Sequence, residues 1–332
     1  MRKREYLHQL YAALHDYSDD DKDEIMEEFE EHFADGEKQG KSDEEIIEEL
    51  GSVQDMIDSF SSQTDHHEEK HASDYMEESY EDITGIAVDG KNARLDVTMQ
   101  KGDALQVEFE PHAVLFGRQA VLQKERKDNT LYLTVKEGNA ELIITVPDQV
   151  RETVVQGKSL DLNAQDIHLD NVKIDTVSGD VELNDTDLRN LKFNTVSGDF
   201  ESSSLKAELV TIDTLSGDAE FNDSTIDFLH FSTKSGDVEF AGHVKKAAFD
   251  LVSGDVDLKL ASAPDAIEVS AVSGDIEIWF ANDDWHASLS TLTGDLESEE
   301  IEPSYRRKNC LEAGKGHTKV TCSTVSGDID LH

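Results

Sequence analysis

The sequence predicts an α+β chain built as separate domains. A small all-α module is expected at residues 1–62, an acidic flexible linker at 63–80, and an all-β single-stranded solenoid, parallel β-helix-like, at 81–332. Three observations predict this. Apolar residues near the start recur at helical spacing, whereas from Ile83 onward they alternate at strand spacing. The third is a repeat: Ser/Thr-Gly-Asp occurs with its glycine at Gly179, Gly198, Gly217, Gly236, Gly254, Gly274, Gly294 and Gly327, at spacings of 19, 19, 19, 18, 20, 20 and 33 residues.

The helical elements follow in order. Tyr6, Leu7, Leu10, Tyr11 and Leu14 mark a first helix, and Ile25, Met26, Phe29 and Phe33 a second. Ser18, Asp19 and Asp20 precede the second and suit its free N–H groups and positive dipole end; it stops near Gly36. "KSDEEIIEELG" gives a third helix with a capping box, Ser42 and Glu45, and a left-handed stop at Gly51. Val53, Met56, Ile57 and Phe60 mark a fourth. The acidic residues between these apolar stripes form a solvated face or a docking surface for a basic partner. In the linker, His66, His67 and His71 lack a rigid element to hold them as metal ligands.

Within the repeat, alignment on the glycine produces apolar columns. Residues seven and five before it, two after it and four after it are apolar in nearly every copy, with polar residues between them. Each copy is therefore a short strand, a corner at Ser-Gly-Asp and a second strand, and copies stack as successive coils at roughly 4.8 Å. The residue two before the glycine is also apolar (Val177, Val196, Leu215, Val252, Val272, Leu292, Val325) except at Lys234. It is out of phase with the inward columns, so it either bends inward at the corner or forms an exposed stripe. Residues 81–150 form an irregular opening cap, with Gly102 and Asp103 as a degenerate corner, and residues 151–332 the repeats. The long last spacing holds an inserted loop or hairpin before the final coil.

Composition narrows the function. There are 74 acidic and 30 basic residues, a net charge of −44, and residues 1–80 carry 26 acidic against 7 basic side chains, or −19. Such a chain repels nucleic-acid backbone and anionic membrane, so direct nucleic-acid binding is not expected. No apolar run is long enough for a membrane span, and the chain reads as cytoplasmic. Two cysteines, Cys310 and Cys322, make no disulfide scaffold; Cys322 falls in an inward column and reads as a buried thiol.

The column Asp180, Asp199, Asp218, Asp237, Asp255, Asp275, Asp295 and Asp328 has two readings. Each carboxylate can accept backbone N–H groups in its own turn, or the column can hold calcium between coils. One aspartate per coil is few ligands for an ion that wants six to eight oxygens, which favours the structural reading. No nucleophile motif, phosphate loop, metal signature or cofactor fingerprint is present, and "GKSLDL" at Gly157 lacks the rest of a phosphate-binding loop. A polysaccharide-active β-helix would need opposed acids, whereas Asp283 and Asp284 are adjacent and lie between Trp279 and Trp285 in what reads as an inter-coil loop with aromatic edges. His243, His286 and His317 are isolated and read as surface residues. The expectation is a non-enzymatic interaction or scaffold protein without cofactor, with a calcium- or ligand-binding solenoid as the alternative.

Two resemblances add to this. "EEFEEHFADGEKQGKSDEEIIEELG" resembles the bacterial HAAS module, a helical signalling domain. That resemblance implies a regulatory role and a protein partner such as a PadR-like transcription regulator. The Thr-Val-Ser-Gly-Asp corners, with Gly314 and Gly316 before the last strand, resemble the bacterial putative-adhesin family of β-strand repeats.

Overall fold

The computed structural model describes residues 82–112, 119–298, 303–307 and 309–332, and in the N-terminal part residues 2–14, 22, 26, 29, 30, 33, 34, 38 and 40–53. The chain divides at about residue 78 into two compact units. It is mostly β, with a small helical piece at its N-terminal end.

In the first unit, helices run over Lys3–Ala13 and Asp43–Leu50, the described residues from 22 to 38 are helical, and Gly40 is in a turn. The Ser42 cap forms as the spacing predicts. The Ser42 hydroxyl accepts the Glu45 N–H, and the Glu45 carboxylate accepts the Ser42 N–H at 2.8 Å. Gly51 ends that helix with φ +85°. Tyr6, Leu7, Leu10, Leu14, Phe29, Phe33, Ile46 and Leu50 are buried together, the Tyr6 ring 6.0 Å from both Phe29 and Phe33. Tyr11, which the spacing places on the apolar stripe, faces solvent instead. The Ser18–Asp20 cap, the Gly36 stop, the fourth helix beyond Val53, and His66, His67 and His71 lie outside the described residues.

The second unit is a solenoid-like stack. Strand Val181–Asn184 pairs in parallel with Phe200–Ser203, which pairs with Ala219–Asn222, each residue opposite the one 19 positions on. A second ladder runs His168–Asp175, Asp187–Asn194 and Lys206–Asp213 at the same offset. Because the offset is constant along each of these ladders, equivalent positions stack. Ile174, Phe193, Ile212, Phe231 and Phe249 form one buried column, and Val181, Phe200, Ala219, Val238 and Val256 another. The rings of Phe200, Phe221 and Phe240 follow one another at 5.1 and 5.8 Å. Each such buried side chain contributes on the order of 1.5–3 kcal/mol, so the stack is held by many equal steps.

Three details differ from the expectation and a fourth accounts for a glycine. First, each early coil turns twice. Besides Ser-Gly-Asp there is a left-handed corner at Asp166 (φ +50°), Asp185 (+49°), Ser204 (+58°) and Asp223 (+48°). Aspartate tolerates this conformation because its short carboxylate can bond locally. Second, Gly102 and Asp103 are not a corner of the stack. They lead from Gly85–Lys101 into Gln106–Pro111, which folds back antiparallel on Asn139–Val146. The coil position aligned with the repeat is instead Arg94, Leu95 and Asp96, set opposite Ser159, Leu160 and Asp161.

Third, the coils do not stack in chain order. The last segment, Thr318–Ser326 and Ile329–Leu331, pairs on one side with Ala266–Ser273 and Ile276–Ile278, and on the other with Trp285–Thr293 and Leu296–Ser298. The Gly327 coil is thus inserted between the Gly274 and Gly294 coils. The predicted insertion is a hairpin, Pro303–Arg307 with Cys310–Gly314, and it covers the outer edge of Trp285–Thr293 antiparallel. Fourth, Gly316 passes so close to the Asp284–Trp285 backbone that a Cβ would sit 1.9 Å from the Asp284 carbonyl carbon. This explains the small residue where the chain re-enters the stack. Among the described residues no helix is long and apolar enough to cross a membrane.

Candidate functional site: the corner columns

The repeated pentapeptide builds a site from four kinds of side chain. Its threonine turns back into the corner: the Thr176, Thr195, Thr214 and Thr233 hydroxyls donate to the carbonyls of Ser178, Ser197, Ser216 and Ser235 at 2.8–3.2 Å. Its glycine lets consecutive corners touch. At Gly217, φ is +153° and a Cβ would fall 2.1 Å from the Gly198 carbonyl oxygen, so no other residue fits without moving the backbone.

The aspartate bonds between coils. Its Oδ1 accepts the backbone N–H of the aspartate one coil further along: Asp180 from Asp199, Asp199 from Asp218, Asp218 from Asp237 and Asp237 from Asp255, all at 2.7–2.8 Å. The ladder continues through Asp255 to Asp275, then Asp328, then Asp295, following the stacking order rather than the sequence. This corrects the expectation of a bond within its own turn. Each carboxylate up to Asp328 instead meets a donor in the neighbouring coil, which offsets the like-charge repulsion along the column.

The ladder starts earlier than the glycine pattern shows. Asp161 accepts the Asp180 N–H at 2.8 Å although Leu160 stands in the glycine position. Below it, burial first and the Asp161 carboxylate second push the Asp96 carboxyl above its ordinary range. A search anchored on glycine misses both; counting back 19 residues from Asp180 finds Asp161.

Outside the corner, three rows run along the stack. The residue before Ser-Gly-Asp is exposed in every coil where it is apolar, from 42% at Leu215 to 63% at Leu292, so the open question of the stripe resolves to an exposed one. Past the exposed serine or threonine that follows it stands the exposed aspartate row. Beyond that, three residues after each glycine, stand Glu182, Glu201, Glu220, Glu239, Asp257, Glu277, Glu297 and Asp330, a second acidic row. Burial, then Glu277 and Glu239, raises the Asp257 carboxyl; burial, then Glu297, raises that of Asp330. Between the rows runs a shallow groove of about 320 Å³ lined by Ser216, Gly217, Asp218, Ser235, Gly236 and their neighbours.

The other candidates separate. Asp284 accepts both the backbone N–H and the ring of His317 at 3.0–3.1 Å, which lowers its carboxyl, while Asp283 is exposed. Trp285 is fully buried under Phe280 and is no aromatic edge; Trp279 stacks on His332. His243 meets Ser262 and His286 the Gly314 carbonyl, both at the surface. Burial pushes the Cys322 thiol up to about 12, and Cys310 is partly exposed. Among the described residues no group of three or more His, Cys, Asp or Glu side chains is placed to hold a metal ion.

A family model described as HAAS matches residues 5–57, and one described as Toastrack DUF4097 matches residues 74–332. No curated protein matches the chain. Among solved structures, a protein from Parabacteroides distasonis described as a putative lipid binding protein is 14% identical, covering 75% of this chain and 92% of its own, with a TM-score of 0.47. A putative adhesin from Parabacteroides merdae is 13% identical over the same shares, with a TM-score of 0.45. With its match spanning far more than half of the sequence, this chain belongs to the Toastrack DUF4097 family.

Proposed function

We propose that this chain is a non-enzymatic, cytoplasmic protein–protein interaction scaffold. In this reading residues 1–62 are a signalling module that engages a PadR-like transcription regulator, residues 63–80 tether it, and the coils of residues 81–332 present a rigid surface. The observation that carries the reading is the exposed aliphatic row, broken only at Lys234, since a run of apolar side chains facing water marks an interaction face. The match to HAAS, a module associated in general with PadR-like regulators, supports the partner class. The corner aspartates are structural in this reading because the Oδ1 of every one before Asp295, which ends the ladder, already accepts a backbone N–H.

Affinity capture of the full chain from native lysate tests it, run beside Phe29→Glu, which disrupts the buried Tyr6–Phe29–Phe33 cluster. The expected result is a transcription regulator recovered with the parent and lost with the variant. No stable partner, or the same set with both, contradicts the reading.

A further inference from the structure

The aliphatic row is divided by Lys234 into a run of three and a run of four. In stacking order the longer run is Val252, Val272, Val325 and Leu292, with exposures of 49, 50, 46 and 63%. Strand propensity alone does not explain it. Leucine stands at two of the eight positions, and threonine would serve a strand equally well while being wetted by solvent. What the position keeps is apolar character. On the C-terminal side of this run, past the exposed Ser253, Ser273, Ser326 and Thr293, stand two acidic rows, Asp255, Asp275, Asp328 and Asp295, then Asp257, Glu277, Asp330 and Glu297.

We propose that this run is a docking site for an amphipathic α-helix of a partner protein with a basic flank. The proposal rests on the interaction reading above and names the partner's chemistry. Charge complementarity selects the flank: the two acidic rows lie along one side of the apolar run, so basic side chains on one edge of an apolar stripe meet them. Charge also works against the other occupants on hand. A second copy would set its own acidic rows against these, and residues 1–80 carry −19. Spacing selects the helix. The coils advance by roughly 4.8 Å, close to the ~5.4 Å of one helical turn, so contacts at i, i+4, i+7 and i+11 track four coils. An extended strand along the row repeats one face at about 6.8 Å and falls out of step.

The test titrates the full chain with a synthetic helical peptide carrying leucines at those four positions and lysines on one flank. Two controls accompany it, one with the leucines replaced by serine and one with the lysines replaced by glutamate. We expect the first peptide alone to bind tightly. Val272→Ser/Val325→Ser should weaken it by about tenfold or more without moving the unfolding temperature, and Glu277→Gln/Asp330→Gln should weaken it and flatten its salt dependence. Equal binding by the serine control, unchanged affinity in Val272→Ser/Val325→Ser, or absence of binding overturns the proposal. A concentration-dependent dimer of the parent that Val272→Ser/Val325→Ser abolishes would assign the row to a second copy and overturn it too. None of these readouts uses residues 1–62 or a regulator, so failure of the capture experiment and failure of this one are distinguishable.

Discussion

Gly217 shows what a single residue does in this chain. Its carbonyl neighbour in the next coil leaves no room for a methyl group, and its backbone lies where only glycine is comfortable. Gly217→Ala is therefore expected to cost about 3 kcal/mol or more, since backbone must move in two coils at once. Urea unfolding of parent and variant checks this; a loss below about 0.5 kcal/mol, the range of an ordinary surface change, would contradict it. The rest of the corner reads the same way. The threonine closes the turn, the aspartate ties one coil to the next, and the valine between them bonds only through its backbone. Ser, Gly and Asp were legible as a corner because each has a specific backbone use, whereas the threonine read as the end of a strand and its hydroxyl bond into the turn was not legible. Nor was the valine, because alternation alone does not say how a strand bends into a turn.

At the scale of elements, strand content and inward columns follow directly from period-2 alternation, and the Phe193–Phe249 column is buried as that pattern requires. The second corner escaped because its signal is weak: Asp166, Asp185, Ser204 and Asp223 share only tolerance of the left-handed region, without a fixed glycine. Stacking order escaped for a deeper reason. A repeat says which residues share a column, not which coil lies next to which, so the Gly327 coil looks terminal in sequence while being internal in space. This has a measurable consequence. A chain-terminal strand at an open edge frays, whereas one paired on both sides does not. Native-state hydrogen exchange should find the amides of Lys319–Ser326 and Ile329–Leu331 protected as strongly as those of Val238–Ser253. Rapid exchange confined to the last fifteen residues would contradict the insertion.

Over the whole molecule, the chain devotes its inner columns to the stack and its outer rows to solvent or a partner. Two parallel acidic rows concentrate negative charge on one side of the corner, and the aspartate row is tolerated because every carboxylate but the last, Asp295, receives an N–H from the adjoining coil. That arrangement bears on the two readings of the repeated aspartate that the sequence left open, which predict different outcomes for one substitution. If Oδ1 serves as an acceptor, asparagine replaces it without loss, because its amide oxygen accepts the same bond and like-charge repulsion falls. If the column holds calcium, asparagine weakens the site and calcium stabilises the parent by mass action. The most direct measurement is thermal unfolding of the parent and of Asp199→Asn/Asp218→Asn/Asp237→Asn, each with calcium and with chelator. The structural account predicts a variant that melts at or above the parent temperature and no calcium-dependent rise in either protein. A parent that melts higher with calcium, with that rise lost in the asparagine variant, would contradict it.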